Sequence, residues 1–342
     1  MVEACNRILS LFCIVYQKNP FIYKISFTLL KLNLFASPLI TSLCDCRQGG
    51  TAVDAVEAAV NKLENNSAFN AGHGSVLTAA GTIEMDAIIV DGKLLKTGAV
   101  GCVENIANPV SLARQVMEKT SHCLLVGAGA MKFAKDLNFE LLSTQELITK
   151  DSVCKSFCMG EGTFDKHIEL YMNKIIKAND INDLETCFKE MMKKEKLSEC
   201  GHDTVGAVAI DIKGNIACAT STGGMPGKML GRVGDSPIFG SGAYANTEGG
   251  CSSTGHGESL MKTIVCREAV RYLEDGFTAM EASEKAISLV LQQTGGRGGI
   301  ILIDKKGNLG YAFNTGCMAW AKFSSKCFAH GLRTGEHFVE PM

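Results

Sequence analysis

Hydroxyl side chains and glycines crowd together between residues 202 and 258, in five short segments: HDTVGAV from His202, TSTGG from Thr220, GRVGDSP from Gly231, GAYAN from Gly242 and SSTGHGE from Ser252. Hydroxyls and glycines at strand ends bring side-chain oxygens and backbone N–H groups close to one ligand, the arrangement that stabilises developing negative charge. Any one of these threonines is accounted for by β propensity alone; the set is not. The signatures of other chemistries are missing: the chain has no G-x-x-x-x-G-K-[ST], no G-x-S-x-G and no H-E-x-x-H, and Gly127-Ala128-Gly129 is a lone G-x-G that carries nothing.

Composition narrows the field further. The 342 residues suffice for one large domain or two ordinary ones, and 46% hydrophobic with 20% charged residues is a soluble globular composition. A formal net charge of -2 argues against nucleic acid as a partner, because phosphate binding needs a basic surplus. The fifteen cysteines are odd in number and scattered; the closest pairs, Cys44/Cys46 and Cys154/Cys158, have no histidine placed to complete a zinc set. They read as reduced thiols, and the protein as cytoplasmic. The apolar runs 8–17 and 32–44 both fall short of the about 18 residues that mark a membrane span.

The elements that must position the hydroxyl cluster follow from periodicity. Residues 48–63 read as a helix with Val53, Val56, Val60 and Leu63 on one stripe, and the Asn/Ser/Gly-rich stretch after it as a loop. A hairpin is expected from Thr82–Asp86 and Ala87–Val90, with a turn at Asp91-Gly92, and a helix at 108–119 with Pro near its start. Residues 144–202 are polar with mixed-sign charge runs and read as helix ending in a mobile linker. Order returns at Thr204, where two strands flank a turn at Lys213-Gly214-Asn215; a second such hairpin lies at 299–315. Both are apolar on both faces, so the sheets should be covered on both sides. Helices are expected at 258–273 and 277–291. The layering is α+β rather than alternating βαβ.

From Gln48 to about residue 315 the sequence resembles the plant-type asparaginases and isoaspartyl peptidases, which are N-terminal-nucleophile hydrolases. GGTAVDAVEAAV, FNAGHGSV, EMDAIIVDG, GAVGCV, NPVSLARQVMEK, DTVGAVAID, TSTGG, GRVGDSP and STGHGE match in order. The resemblance implies a four-layer αββα sandwich and a precursor that cuts itself between Asp203 and Thr204. It divides the chain into an atypical segment 1–47, an α subunit 48–203 ending in a flexible linker over about 144–203, and a β subunit 204–342. Cleavage frees an α-amine on the nucleophile itself; such an amine titrates at about 7.7–8.0 and accepts the hydroxyl proton at neutral pH. By the same resemblance Thr222 holds Thr204, and Arg232 grips the substrate α-carboxylate through two parallel N–H bonds. Asp235 pairs with the α-ammonium, and Gly257 offers its carbonyl to the same amine. Thr254 and Gly255 form the oxyanion hole, and Asn70 supports the site. Backbone carbonyls around Leu63, Glu64, Ser67 and Phe69 resemble a sodium or potassium loop; no other cofactor is implied. The implied partners are L-asparagine or β-aspartyl dipeptides and a second cleaved αβ unit, with no nucleic acid and no membrane. His73 and His256 are tempting bases, but with an amine as base both are expected to pack or hydrogen-bond.

One departure stands out. The family begins with a strand ending in a His-Gly-Gly loop, and residues 1–47 offer neither pattern. The first core strand is therefore expected to be replaced or missing. That gap keeps open an uncleaved, inactive binding protein beside the asparaginase reading. The triplet His202-Asp203-Thr204 and the sequon Asn65-Asn66-Ser67 keep open a lysosomal-type glycosylasparaginase.

Overall fold

In the computed structural model the residues described are 8–15, 50–149, 152–153, 204–324 and 327–341. The first surprise is at the N-terminal end: Ile8–Val15 forms a strand, β1. It sits inside the larger sheet, antiparallel on one side to β5 (Val205–Asp211), with Phe12 opposite Val208 and Val15 opposite Val205. On its other side it pairs with the strand Ala319–Ser324, with Phe12 opposite Lys322. The expected gap in the sheet is thus filled by a segment whose apolar run carried no family pattern. An apolar run of eight residues suits a strand with neighbours on both sides as well as it suits a truncated membrane or signal segment, and periodicity alone does not separate them.

Along the chain follow α1 (Ala52–Glu64), β2 (Met85–Asp91), β3 (Lys96–Val103), α2 (Pro109–Lys119), β4 (Leu124–Val126), α3 (Gly127–Asp136) and α4 (Thr144–Leu147). After β5 come β6 (Ile216–Thr222), β7 (Ala243–Ala245), β8 (Gly249–Gly255), α5 (Gly257–Thr263), α6 (Val265–Glu274) and α7 (Ala279–Thr294). The chain closes with β9 (Gly298–Asp304), β10 (Leu309–Phe313), β11 (Ala319–Ser324), β12 (Cys327–Gly331) and β13 (Phe338–Pro341). The nine-stranded sheet runs β13-β12-β11-β1-β5-β6-β2-β3-β4, and the four-stranded sheet β10-β9-β8-β7. Pairing is antiparallel except between β3 and β4.

The expected elements mostly appear, with shifted bounds. The first hairpin is β2 and β3, turning at 92–95, so Thr82–Asp86 and Ala87–Val90 are not its two arms. The helix expected over 258–273 breaks in two at Ile264, whose φ of 49° is left-handed. Of the 144–203 stretch only 144–149 and 152–153 are described, and they contain α4; the expected linker and Asp203 lie outside the described residues.

The period-2 alternation of the strands sorts side chains into separate cores. On β5, Ala207 and Ala209 join α1 and α2 in one core, while Val208 and Ile210 join a second. On β2, Ala87 and Ile89 go the first way, Ile88 and Val90 the second. On β9, Ile301 and Ile303 meet Val208 and Ile210 in the second core, while Ile300 and Leu302 meet Val265, Ala269 and Val290 of the C-terminal helices in a third. Each fully buried aliphatic side chain contributes about 1.5–3 kcal/mol, so a one-residue slip of register would move a whole set to the wrong core. The fold is α+β. No described helix is long and apolar enough to cross a membrane.

Because β1 is bonded on both sides, Phe12→Pro removes a ladder N–H, leaves its acceptor unpaired and should cost about 1–3 kcal/mol, with any ring clash adding to that. Thermal unfolding reads this as a large drop in midpoint; an unchanged midpoint would mean that Ile8–Val15 is not a core strand.

Candidate active site

Thr204 immediately precedes β5 and is 4% exposed. The pairing of Val205 with Ser221 sets Thr204 beside Thr222, the last residue of β6. These two strand ends open onto a pocket walled by Thr204, Thr222, Gly224, Met225, Arg232, Gly234, Asp235, Ser236, Gly255 and Gly257. Six residues singled out from the sequence therefore share one wall: Thr204, Thr222, Arg232, Asp235, Gly255 and Gly257.

Local bonds explain how each is held. The Thr222 hydroxyl accepts from Gly224 N at 3.0 Å, closing the turn that follows β6. Asn70 locks that turn to its own loop: its side-chain amide donates to Gly224 O at 2.8 Å, its Oδ1 accepts from Val76 N at 2.9 Å, and its carbonyl accepts from Gly223 N at 2.9 Å. Asn70 thus touches the site through the backbone of 223–224 and does not itself line the pocket. Gly255 has φ +137°, and a Cβ there would lie 2.4 Å from Gly298 Cα; only glycine turns the chain out of β8 at that point. Thr254 precedes it, fully buried, and its hydroxyl has no partner among the described residues. A desolvated hydroxyl without a partner costs stability.

The two charged groups named from the sequence are held by different partners. Arg232 and Asp235 are not paired with each other. The Arg232 guanidinium donates through Nε and Nη2 to the two oxygens of Glu258, both at 2.9 Å. That bond holds the Glu258 carboxyl down to about 2, well below the usual carboxylate range. Asp235 is buried, accepts from the Ser253 hydroxyl at 2.9 Å, and is pushed up to about 7 by burial, an effect that Ser253 and Arg232 partly offset. His256 Nε2 lies 3.5 Å from Glu258 Oε2, and its Nδ1 is 2.7 Å from Ser259 Oγ. His73 Nδ1 has no partner among the described residues.

Three residues beneath the site were not singled out from the sequence. Lys228 is buried and donates to the Glu84 carbonyl at 2.8 Å, while Glu84 accepts from Gly231 N at 2.9 Å. Asp86, within EMDAIIVDG, is raised by burial and lowered by Lys228. Its Oδ1 accepts from Cys102 N at 2.9 Å. Glu258 was inside a quoted motif, STGHGE, yet nothing local marked it as the partner of a residue 26 positions earlier.

The loop after α1 is also built. Glu64 is fully buried; its carboxyl accepts from Asn108 Nδ2 at 3.1 Å and Val110 N at 3.0 Å, and its carbonyl accepts from His73 N at 2.8 Å. The Leu63 carbonyl accepts from Asn66 N at 3.1 Å. The carbonyl oxygens of Ser67 and Phe69 converge on Gly74, at 2.5 and 2.8 Å from where a Cβ would stand. Among the described residues no group of three or more His, Cys, Asp or Glu side chains forms a metal site.

The chain is similar to known proteins over most of its length. The family model described as Asparaginase matches residues 40–331. The isoaspartyl peptidase/L-asparaginase of Xenopus laevis is 42% identical over 296 residues, 86% of each chain. That of Rattus norvegicus is 46% identical over 279 residues, 80% of this chain and 74% of its own. The plant-type L-asparaginase of Thermococcus kodakarensis is 44% identical over 273 residues, 80% of this chain and 83% of its own.

Burial raises the Glu64 carboxyl from 4.5 to about 8. Protons therefore bind the folded state more tightly than the unfolded one, and this contribution, complete below pH 4.5, is lost as pH rises through about 8. Glu64→Gln should lose less stability over that window than the parent in urea unfolding at stepped pH. Parallel pH profiles would contradict the assignment.

Proposed function

This chain belongs to the asparaginase family, and from that premise we propose that it is a self-cleaving amidohydrolase that converts L-asparagine to L-aspartate and ammonia and cleaves β-aspartyl dipeptides. The observation that carries the reading is the position of Thr204: buried, at the start of a central strand, beside Thr222, in a pocket that also holds Arg232 and Asp235.

In the precursor the Thr204 hydroxyl attacks the Asp203 carbonyl carbon, the C–N bond breaks, and an ester forms. Water hydrolyses the ester, leaving an Asp203 carboxylate and a free Thr204 amine. That amine then takes the proton from the same residue's hydroxyl as the oxygen attacks the substrate side-chain carbonyl. Ammonia, or the amine of the dipeptide's second residue, leaves with the proton. A second water cleaves the β-aspartyl ester. The oxyanion of each tetrahedral intermediate is assigned to the Thr254 hydroxyl and Gly255 N–H, a role supported by the buried unpartnered hydroxyl. Arg232 and Asp235 take the α-carboxylate and α-ammonium, the Gly257 carbonyl supports the ammonium, and Thr222 holds the nucleophile.

The three cores fit a four-layer αββα sandwich of the N-terminal-nucleophile hydrolase type, with helices outside two facing sheets. Filling of the strand's place by β1 supports an enzyme over an inactive scaffold, while residues 16–49, where the His-Gly-Gly loop would fall, lie outside the described residues. The backbone carbonyls of Leu63, Glu64, Ser67 and Phe69 would supply the oxygen ligands that a sodium or potassium ion takes, those of Leu63 and Glu64 in addition to the N–H bonds they accept. Such an ion would tie the loop that carries Asn70. The unfolding midpoint should then rise in sodium or potassium chloride over choline chloride at equal ionic strength, and equal midpoints would refute an ion there.

A denaturing gel of purified protein should give two bands, ending and starting at residues 203 and 204, and the native mass of the same sample should equal two cleaved units. Thr204→Ala should stay as one band. Thr254→Val should lower kcat by about 10²–10³-fold. An active sample that is still joined before Thr204 would overturn the reading.

A further inference from the structure

Resting on the function proposed above, we infer that Glu258 is a positioning residue, clamping one edge of the Arg232 guanidinium so that its terminal edge is presented to the substrate α-carboxylate. A guanidinium holds five N–H groups in a rigid plane, and one carboxylate can engage only one edge at a time. Glu258 takes the edge made by Nε and Nη2, with both bonds at 2.9 Å. What is left is the terminal edge, formed by Nη1 and the outer hydrogen of Nη2.

That edge lies where three glycines leave room for it. A Cβ at Gly234 would stand 2.9 Å from Nη1 and 3.1 Å from Nη2; at Gly257 it would be 2.7 Å from Nη2, and at Gly224 3.3 Å from Nη1. All three glycines line the pocket that contains Thr204. The expected two-bond grip on the substrate is therefore kept, but it uses the end of the guanidinium rather than its side.

The clamp has the features of a preorganising contact rather than a loose surface pair. Arg232 is only 15% exposed, and both hydrogen bonds are made. A flexible four-bond side chain is ordered before substrate arrives, so its ordering entropy is not charged to binding. Glu258 itself stands on α5, is 39% exposed, and has His256 Nε2 at 3.5 Å. It can hold Arg232 from the solvent side without entering the pocket.

The test uses Glu258→Gln in full-length protein, with self-cleavage followed on a gel. A neutral amide cannot accept both N–H bonds, so KM for L-asparagine should rise about tenfold or more while kcat changes little. With L-aspartic acid diamide, which lacks the α-carboxylate, parent and variant should have the same kcat/KM. In an Arg232→Ala background, Glu258→Gln should add no further loss. A KM for asparagine that is unchanged or lowered would overturn the inference, the latter marking Glu258 as a competitor for Arg232. An equal loss on both substrates would overturn it as well, since that marks general damage. Cleaved parent protein inactive on both substrates would instead sink the asparaginase reading.

Discussion

The antiparallel pairing of β5 with β6 is the constraint on which the site rests. Every residue of both strands is buried, so each backbone group must find its partner in the ladder. The register cannot drift, and Thr204, just before β5, stays beside Thr222, the last residue of β6. A chain cut before Thr204 then leaves its new terminus fixed by the same ladder. On the proposed reading a nucleophile on a loop would lose its position when the chain was cut, whereas Thr204 directly precedes a strand with β1 and β6 on either side.

The space between the two sheets changes character along its length. At the far end Val208, Ile210, Ile216 and Cys218 meet Ile301, Ile303 and Trp320 in an apolar core. Toward Thr204 the same strands carry hydroxyls: Thr220 Oγ1 donates to Gly242 O at 2.8 Å and lies 2.7 Å from Ser252 Oγ. Ser253 Oγ reaches both Asp235 Oδ2 at 2.9 Å and Ser241 O at 2.8 Å. A Cβ on Gly206 would lie 2.1 Å from Ser252 Oγ, so at this end the sheets are in direct contact. Apolar packing fixes the spacing of the sheets, and the polar end uses that spacing to hold oxygens and N–H groups in place.

Charge is handled with equal economy. Asp86, Asp235, Lys228 and Arg232 all lie in or under the pocket, and taking any one of them out of water alone would be costly. Burial raises both aspartates toward neutrality, while Lys228 and Arg232 pull them back.

What the sequence determined by itself is local or local in spacing. Asp211-Ile-Lys-Gly-Asn215 and Asp304-Lys-Lys-Gly-Asn308 close their hairpins identically, each Asp side chain accepting from the N–H groups two and four residues on and from the Asn side chain. Thr51 caps α1 with Asp54 in a capping box, and Thr278 caps α7 with Glu281. The five hydroxyl and glycine segments were visible as a set because their residue types are chemically unusual together. The tertiary structure alone decided the rest. The apolar run Ile8–Val15 became a core strand because β5 and β11 each had an open edge, which no period in eight residues announces. The strands β11 to β13 went unread for a similar reason: their partners include one another and β1, far away in the chain. Whether Arg232 would face Asp235, Glu258 or solvent was settled by the distance between two loops and a helix start. Pairing between residues distant in sequence depends on where folding brings their backbones, and side-chain type alone holds no record of that.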